Sequence, residues 1–364
     1  MIKKEEGCKL VEEAFIESGL TVKFKEKYNN DWVTVTNEAK YVPVDYVSYQ
    51  SSYQYEYFRA INENLIDISV VIYYDHRACG IWPLLLDVNS SEPIKSKNNL
   101  YGGIVIPPLF VSTLQEKIKR KIMKSCINTL NIILKKCCGE CWRTNEVYDT
   151  NNGLGQWHQI ALINSAELDK VNCEMYVDLK LSTKEYRKFV RKSYRPLISS
   201  GSKNWETFVM DSCNIDTSIW NKFKILHKNV SGRSTRSDET WNMQYNAIKH
   251  GDSFIVYIAD SSEKMVGGAL FDISKDECNY SVGVYDRELF DQPLGHMIQY
   301  RAIEEMKIKD ISWYRLGTRL YKEESGFIDK KRVNISSFMQ GFSTHMFPRI
   351  GLIIKNKQST TSTF

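Results

Sequence analysis

Apolar and polar residues alternate with two different periods along this chain of 364 residues. Before Gly19, apolar side chains recur every three or four positions, which predicts a helix with one buried face and a glycine C-cap. Two short strands are predicted over 21–25 and 31–36, followed by a tyrosine-rich segment over 46–58 that forms a loop and a helix. Two β-rich runs within 66–86 flank a polar turn and predict a hairpin.

Two helix-start signals mark the middle of the chain. Ser-Thr-Leu-Gln has the form of a capping box and opens a predicted amphipathic helix over 112–136. Ser-Thr-Lys-Glu opens a strongly basic helix over 182–195, which we expect Pro196 to end. Strands are predicted over 142–148, after the first of these helices, and over 174–179, before the second.

The second half of the chain alternates in the same way. Its predicted elements are, in order, a strand over 205–210, helices over 215–229 and 238–250, antiparallel strands over 253–259, 265–272 and 277–285, a helix to 307 and a strand over 312–316. Because both halves contain a β-meander, a helix and a strand in that order, we expect two related α/β units. We place the first at 1–168, the second at 169–350 and a polar tail at 351–364.

The composition is that of a folded protein, with 42% apolar residues and 12% aromatic residues. A formal net charge of +5 permits an anionic ligand without indicating a nucleic-acid binder. No apolar run is long enough to predict a membrane span, and the first residues lack the apolar core of a signal peptide. Nine scattered cysteines fit a reducing interior, so we expect a cytoplasmic protein.

The stretch 280–303 reads as a strand, a polar turn and a helix with Pro293 and Gly295 in its first turn. A helix start has unpaired N–H groups and the positive end of the helix dipole, so it can hold a phosphate. An ordinary strand-to-helix loop explains the same residues equally well. His296 lies in this first turn, where it is either a ligand contact or a packed structural histidine.

A second polar segment, 226–241, lies between two predicted helices. Its arginines, Arg233 and Arg236, suit carboxylate or phosphate groups, and His227 suits a general base. A solvated loop between helices is the alternative. Tyr285-Asp286-Arg287 forms either a salt-bridged corner or part of an acceptor pocket.

Other polar residues carry weaker signals. The strand that contains Arg315 could line the same cleft, and Tyr321 is better explained as a buried structural tyrosine than as a general acid. Three cysteines within 137–141, with no histidine nearby, do not supply the four ligands of a zinc site, so no metal is expected.

Several of these segments together resemble the GNAT-type acyltransferases, and more specifically the FemAB-like branch, which carries two such domains in tandem. The resemblance lies in 176–179, 191–195, 265–271, 280–285, 293–296 and 313–317. It implies an α/β (α+β layered) fold of two tandem GNAT-like domains, each a mostly antiparallel mixed sheet flanked by helices.

The resemblance also implies a donor site. Gln292 and Gly295 match the GNAT pyrophosphate motif, and Met297 stands where the family has glycine or alanine. The residues implied in binding acyl-CoA, most simply acetyl-CoA, are Val282, Val284, Gln292, Leu294, Gly295 and His296. Backbone N–H groups of 281–285 would polarise the acyl carbonyl. Some FemAB-like enzymes take their acyl group from aminoacyl-tRNA instead.

The reaction implied is attack of a neutral amine on a thioester or ester carbonyl, which needs a base and an oxyanion donor. His227 is the expected base, with Tyr285 and His296 as further catalytic candidates. The expected substrate-binding residues are Arg233, Arg236, Glu239, Trp241, Asp286, Arg287 and Arg315. The acceptor would be a nucleotide-linked amino sugar or another cell-envelope or polysaccharide precursor. The alternatives are an aminoacyl-tRNA-dependent transferase and a binding module without catalysis.

Overall fold

The structure is a computed structural model that describes residues 4–87, 104–136, 141–149, 151–323 and 329–356. The described residues form two compact units. The first comprises those within 1–40, 54–172 and 348–364, and the second comprises 41–53 and those within 173–347. The cysteines at 137 and 138 lie outside the described residues.

The helices are α1 (Lys4–Ile16), α2 (Asn29–Glu38), α3 (Ser48–Arg59), α4 (Glu116–Lys136), α5 (Gln156–Ile163), α6 (Thr183–Phe189), α7 (Tyr194–Asn204), α8 (Thr217–Ser231), α9 (Asp238–His250), α10 (Leu294–Ile308) and α11 (Lys330–Gln340). Short 3-10 helices cover Val44–Tyr46 and Arg287–Leu289.

The strands are β1 (Thr21–Phe24), β2 (Leu65–Asp67), β3 (Val70–Tyr74), β4 (Arg77–Trp82), β5 (Leu85–Asp87), β6 (Ile104–Val105), β7 (Leu109–Phe110), β8 (Cys141–Val147), β9 (Glu167–Asp178), β10 (Thr207–Met210), β11 (Ser253–Ala259), β12 (Met265–Ile273), β13 (Glu277–Tyr285), β14 (Trp313–Arg319) and β15 (His345–Lys355).

The first unit contains an antiparallel sheet in the order β1-β3-β4-β7. The predicted hairpin is confirmed in β3 and β4, whose turn places Asp75 and His76 at positive φ angles. The predicted strand over 31–36 is wrong, because these residues lie in α2. Trp32 and Val35 are fully buried while Val33 is exposed, which is the spacing of a helix face and not the alternation of a strand.

The second unit is built on a sheet in the order β10-β11-β12-β13-β14-β9, to which β9 contributes residues 173–178. All neighbouring strands are antiparallel except β13 and β14. One face packs against α7 and α10, and the opposite face packs against α8 and α9. The predicted helices and the three-stranded meander of this half are confirmed.

The single basic helix predicted over 182–195 is wrong, because the helix is interrupted. Its capping box is present at Ser182, but the chain forms two helices, α6 and α7. Pro196 lies in the first turn of α7, where a missing N–H costs nothing, so it does not end a helix. Arg195 donates to the backbone carbonyls of Lys188 and Val190 and thereby closes the end of α6.

Helix α11 and strand β15 carry no signal that we recognised in the sequence. The end of β15, from Arg349 to Lys355, pairs antiparallel with β8 in the first unit. Residues 351–355, which we expected in a polar tail, are therefore strand. Leu352 and Ile354 are buried there, which supplies the physical reason.

Candidate functional site

Strands β13 and β14 diverge in the second unit. They pair in parallel over only three positions, from Glu277 opposite Trp313 to Asn279 opposite Arg315. Beyond that point β13 continues along β12, whereas β14 continues along β9. The register between β12 and β13 also shifts by one residue, which makes Ser281 a bulge. One edge of β13 over 281–285 is thus released from β14, and its backbone can pair with a ligand.

The same region contains the start of α10. Its N-cap residue is Pro293, and no side chain in the described part of the chain caps the helix. The first intrahelical bond is donated by the N–H of Met297, so the N–H groups of Leu294, Gly295 and His296 precede the helical ladder. These donors and the helix dipole favour an anion. The sequence-predicted strand, turn and helix start are therefore brought together.

The side chains around this turn are nevertheless mostly apolar. The His296 ring lies among Tyr194, Phe338 and Phe342, with centroid distances of 4.4, 5.1 and 6.2 Å. Burial, assisted by the charge of Arg191, lowers the pKa of His296 to about 4, so the imidazole is neutral near pH 7. This is the environment of a structural histidine.

Neighbouring side chains cover the turn further. A Cβ atom placed on Gly295 would lie 3.3 Å from the Phe338 ring, so this ring rests directly on the glycine. Met297 is buried, and its Sδ atom lies 2.6 Å from the position of a Cβ atom on Gly201 in α7. Met297 therefore serves as helix-to-helix packing.

The remaining residues proposed for the donor side split between backbone and side-chain roles. Val282 and Val284 are buried with their side chains in the core, so only their backbone groups can serve a ligand. Gln292 donates to Asp291 at 3.0 Å. The hydroxyl of Tyr285 is buried beside Tyr280, and burial raises the pKa of Tyr285 well above its usual value. Such a tyrosine can donate a hydrogen bond but does not ionise.

A cavity of about 180 Å³ lies between the diverging strand β14 and helix α11. Its lining is mainly apolar, with one arginine, and comprises Leu316, Thr318, Leu320, Arg332, Ile335, Ser336 and Met339.

The loop between α8 and α9 brings together two of the predicted acceptor-side residues. His227 Nε2 lies 3.4 Å from Arg236 Nη1, and the His227 ring packs edge-on against Trp241 at 5.2 Å. Burial, followed by the charge of Arg236, lowers the pKa of His227. The imidazole is neutral at pH 7, so it can accept a proton, but it is a weaker base than an exposed histidine.

Other predicted acceptor-side residues have different surroundings. Arg233, Glu239 and Arg287 are exposed. Trp241 is a core residue that packs against Trp220 and Phe223. Asp286 accepts from the N–H of Glu288 and pairs with Lys264 at 3.1 Å, so it stabilises a turn.

Arg315 belongs to a buried network inside the second unit. Its guanidinium donates to Asp45 at 2.8 Å and to Asn279 at 2.7 Å, and it lies 3.5 Å from Glu277. Glu277 also accepts a hydrogen bond from Tyr41 at 3.0 Å. Arg315 therefore holds the segment that begins at residue 41 against the start of the diverging strands.

Sequence reasoning missed a polar group on the α8–α9 face of the sheet. Asp272, 2% exposed, lies at the end of β12 and accepts a hydrogen bond from Ser253 at 2.7 Å. Burial raises the pKa of Asp272 to about 6, against the opposing effects of Ser253, Ser281 and Arg236. One signal could have found it, since Asp272 is a carboxylate that directly follows seven residues without charge in a buried strand.

Within the described residues, no group of three or more His, Cys, Asp or Glu side chains is placed to hold a metal ion. No helix among them combines the length and apolar character needed to cross a membrane.

Comparison with known proteins identifies the fold. No protein-family model and no curated protein sequence matches the chain. Among solved structures, FemX matches with a TM-score of 0.66 at 12% identity, over 91% of this chain and 96% of that chain. L-PGS from Bacillus licheniformis matches with a TM-score of 0.56 at 9% identity, over 91% of this chain and 92% of that chain.

A tandem GNAT protein from the clavulanic acid biosynthesis pathway matches with a TM-score of 0.50 at 10% identity, over 92% of this chain and 98% of that chain. At such low identities these likenesses establish the fold alone. The chain has a FemAB-like fold of tandem GNAT type, as the resemblance of its motifs implied.

Proposed function

We propose that this protein transfers an acyl group from an activated carboxyl donor, acyl-CoA in the first instance, to an amine. The observation that carries this proposal is the divergence of β13 from β14 beside the uncapped start of α10. It would provide backbone donors for an acyl carbonyl and, nine positions further along the chain, N–H groups for a phosphate. The apolar cavity beside β14 would receive the arm of the donor.

In the proposed reaction the amine nitrogen attacks the thioester carbonyl, the C–N bond forms and the C–S bond breaks. The ammonium proton passes to a base, and the departing thiolate takes up a proton. N–H groups on the released edge over 281–285 would stabilise the oxyanion. His227 would act on the acceptor side, a role that its neutral ring beside Arg236 supports.

The charges of the α8–α9 loop suit an amine acceptor that also carries an anionic group. Arg233 is exposed, and Arg236 is partly exposed at the edge of the same loop. A guanidinium binds phosphate through paired N–H donors. A nucleotide-linked amino sugar or another cell-envelope precursor has both the amine and the phosphate that such a loop would select.

Aminoacyl-tRNA is the second candidate donor, and two observations favour it. The Phe338 ring rests on Gly295, so the first turn of α10 has little room for a pyrophosphate. Exposed cations also cluster on α6 and the turn after it, at Lys184, Arg187, Lys188 and Lys192. Such a cluster suits a nucleic-acid backbone, and its binding would weaken steeply with salt.

Thermal unfolding in the presence of each donor tests the proposal. A donor that binds the folded protein raises the unfolding midpoint by mass action. We expect a shift with acetyl-CoA or a longer acyl-CoA that exceeds the shift with free CoA. A shift with aminoacyl-tRNA alone, lost at high salt and larger than that with uncharged tRNA, would select the second donor. No shift with any of them would leave a binding module without catalysis.

A further inference from the structure

The α8–α9 face of the second unit contains a buried polar cluster that the proposed reaction has not used. At its centre is Asp272, with Ser253 bonded to it and Ser281 beside it. Arg236 and Asp252 are near enough to act on the charge of Asp272. Ser281 is the bulge residue of β13, so the cluster adjoins the edge where the acyl carbonyl would lie.

Two further side chains lie around Tyr53, whose hydroxyl also accepts from Arg236, and leave hydrogen-bonding capacity unused. Gln244 is fully buried and donates through Nε2 to the hydroxyl of Tyr53, but its Oε1 has no hydrogen-bond partner among the described residues. The buried hydroxyl of Tyr49, whose pKa is raised by burial and then by the charge of Asp272, likewise lacks one. Its ring stacks on that of Tyr53 at 5.9 Å.

Buried acceptors without donors are costly, so native proteins rarely leave them unsatisfied without a reason. The cluster offers a carboxylate, an amide oxygen and a phenol oxygen. A primary ammonium group carries a positive charge and three N–H donors, which match three such acceptors. An anionic ligand group would instead meet the carboxylate and be repelled.

We propose that Asp272, Gln244 and Tyr49 bind the primary ammonium group of the acceptor, and that Asp272 takes one of its protons. This inference rests on the proposed function, because it supplies the amine for the acyl transfer described above. The Tyr49 side chain turns to admit the ligand, since its hydroxyl has no bond to lose in turning, and the hydroxyl then accepts from the ammonium group. After proton transfer the amine attacks the acyl carbonyl, and the protonated Asp272 can return its proton to the departing thiolate or alkoxide. The second proton on the newly acylated nitrogen passes to water.

A carboxyl group at Asp272 is suited to this step by its surroundings. A base works best when its pKa lies near the working pH. Burial raises the pKa of Asp272 to about 6, whereas His227 is held below its usual value by burial and by Arg236. The groups that face Asp272 and set its titration are Ser253, Ser281, Arg236, Asp252 and Tyr49.

The test uses ammonium salts and the full chain, without an acyl donor. The carboxyl carbon of Asp272 is followed by NMR over pH 4–8 in protein labelled with ¹³C at aspartate, and Asp272→Asn assigns the signal. Ethylammonium chloride should lower the pKa of Asp272, while tetramethylammonium chloride at the same concentration, which has no N–H donor, should not. Equal effects of the two salts, or none, would overturn the proposal.

Two variants guard against misreading a folding defect. Gln244→Met keeps the side-chain volume and removes Oε1, and it should weaken ethylammonium binding at least threefold while Asp272 still titrates. Asp310→Asn, at an exposed position after α10, should change nothing. Unchanged ethylammonium affinity in Gln244→Met would count against the three-acceptor pocket.

Turnover separates this proposal from the proposed function. Once a donor and an amine substrate are in hand, Asp272→Asn should lower kcat/KM for the amine by about 100-fold or more and remove the acidic limb of its pH profile. Its thermal shift with the donor should stay unchanged. If the protein binds the donor but not ethylammonium, the proposed function stands and the ammonium site fails. If it binds ethylammonium but no donor, the ammonium site stands and the proposed function fails. Loss of the acidic limb in His227→Ala instead of Asp272→Asn would assign the base to His227.

Discussion

The start of α10 and the Asp272 cluster both lie beside β13, and they differ in what surrounds their polar side chains. At the start of α10, His296 is enclosed by three aromatic rings, and Phe338 rests on Gly295. Around Asp272, the buried oxygen atoms Gln244 Oε1 and Tyr49 Oη have no hydrogen-bond partners among the described residues. The first region also contains such atoms, His296 Nε2 and Tyr285 Oη. Only the second region adds a buried carboxylate, which gives a cationic ligand a counter-charge.

The largest effect should come from Arg315, which anchors the segment that carries Tyr49. Arg315→Ala would leave Glu277 buried without its counter-ion, and we expect a loss of about 3–5 kcal/mol in the free energy of unfolding. Urea unfolding measures it. The matched control is Lys264→Ala, which breaks an exposed ion pair with Asp286 and should cost less than about 1 kcal/mol. Equal costs would mean that the buried network does not hold this side of the site.

Tyr49→Phe should separate stability from binding. The substitution removes a buried hydroxyl that lacks a partner, so the free energy of unfolding should rise by about 1 kcal/mol. Ethylammonium should bind roughly threefold more weakly, as expected when one of three acceptors is lost. Tyr53→Phe is the matched control, because its hydroxyl accepts from Arg236 and Gln244 and its removal should destabilise the fold. Tighter ethylammonium binding by Tyr49→Phe would contradict the proposed pocket.

The smallest effect should come from His296→Phe. A ring of similar size fills the aromatic cage, so stability at pH 7 should change by less than about 1.5 kcal/mol. The pKa of His296 is about 4 in the folded state and near 6.5 when unfolded, so below pH 6.5 the unfolded state binds more protons. Acidification from pH 7 to pH 5 should therefore lower the free energy of unfolding more in the unsubstituted protein than in the His296→Phe variant. The same acid response in both would show that folding does not lower the pKa of His296, and a loss of turnover in the variant would show a role beyond packing.

The sequence was sufficient for the elements whose signals are local. The α8 and α9 helices, the β11–β13 meander and the Ser182 capping box depend on spacing and on nearby caps, and all were predicted. The strand predicted over 31–36 failed because its valines and threonines favour strands, whereas the buried Trp32 and Val35 have the spacing of a helix.

The candidate site could be predicted only in part, because most of its contacts join distant residues. His227 and Arg236 are nine positions apart, and their proximity was visible in one loop. Arg236 and Tyr53 are separated by 183 positions. Asp272 lies beside Ser253 because of the pairing register of β11 and β12, which cannot be read from a single sequence. Arg315 had the right chemistry for an anionic ligand, but Asp45, also far away in sequence, already engages it.

The placement of residues 41–53 in the second unit has a consequence for how the protein is made. Tyr41 bonds to a residue 236 positions later, and Asp45 to one 270 positions later. At a synthesis rate of roughly 5–20 residues per second, Asp45 waits on the order of 14–54 seconds before Arg315 is translated. The nascent chain thus carries an unfinished tyrosine-rich segment through most of its synthesis. A ribosome that stalls before residue 315 would hold a chain whose early tyrosines have not yet met their partners.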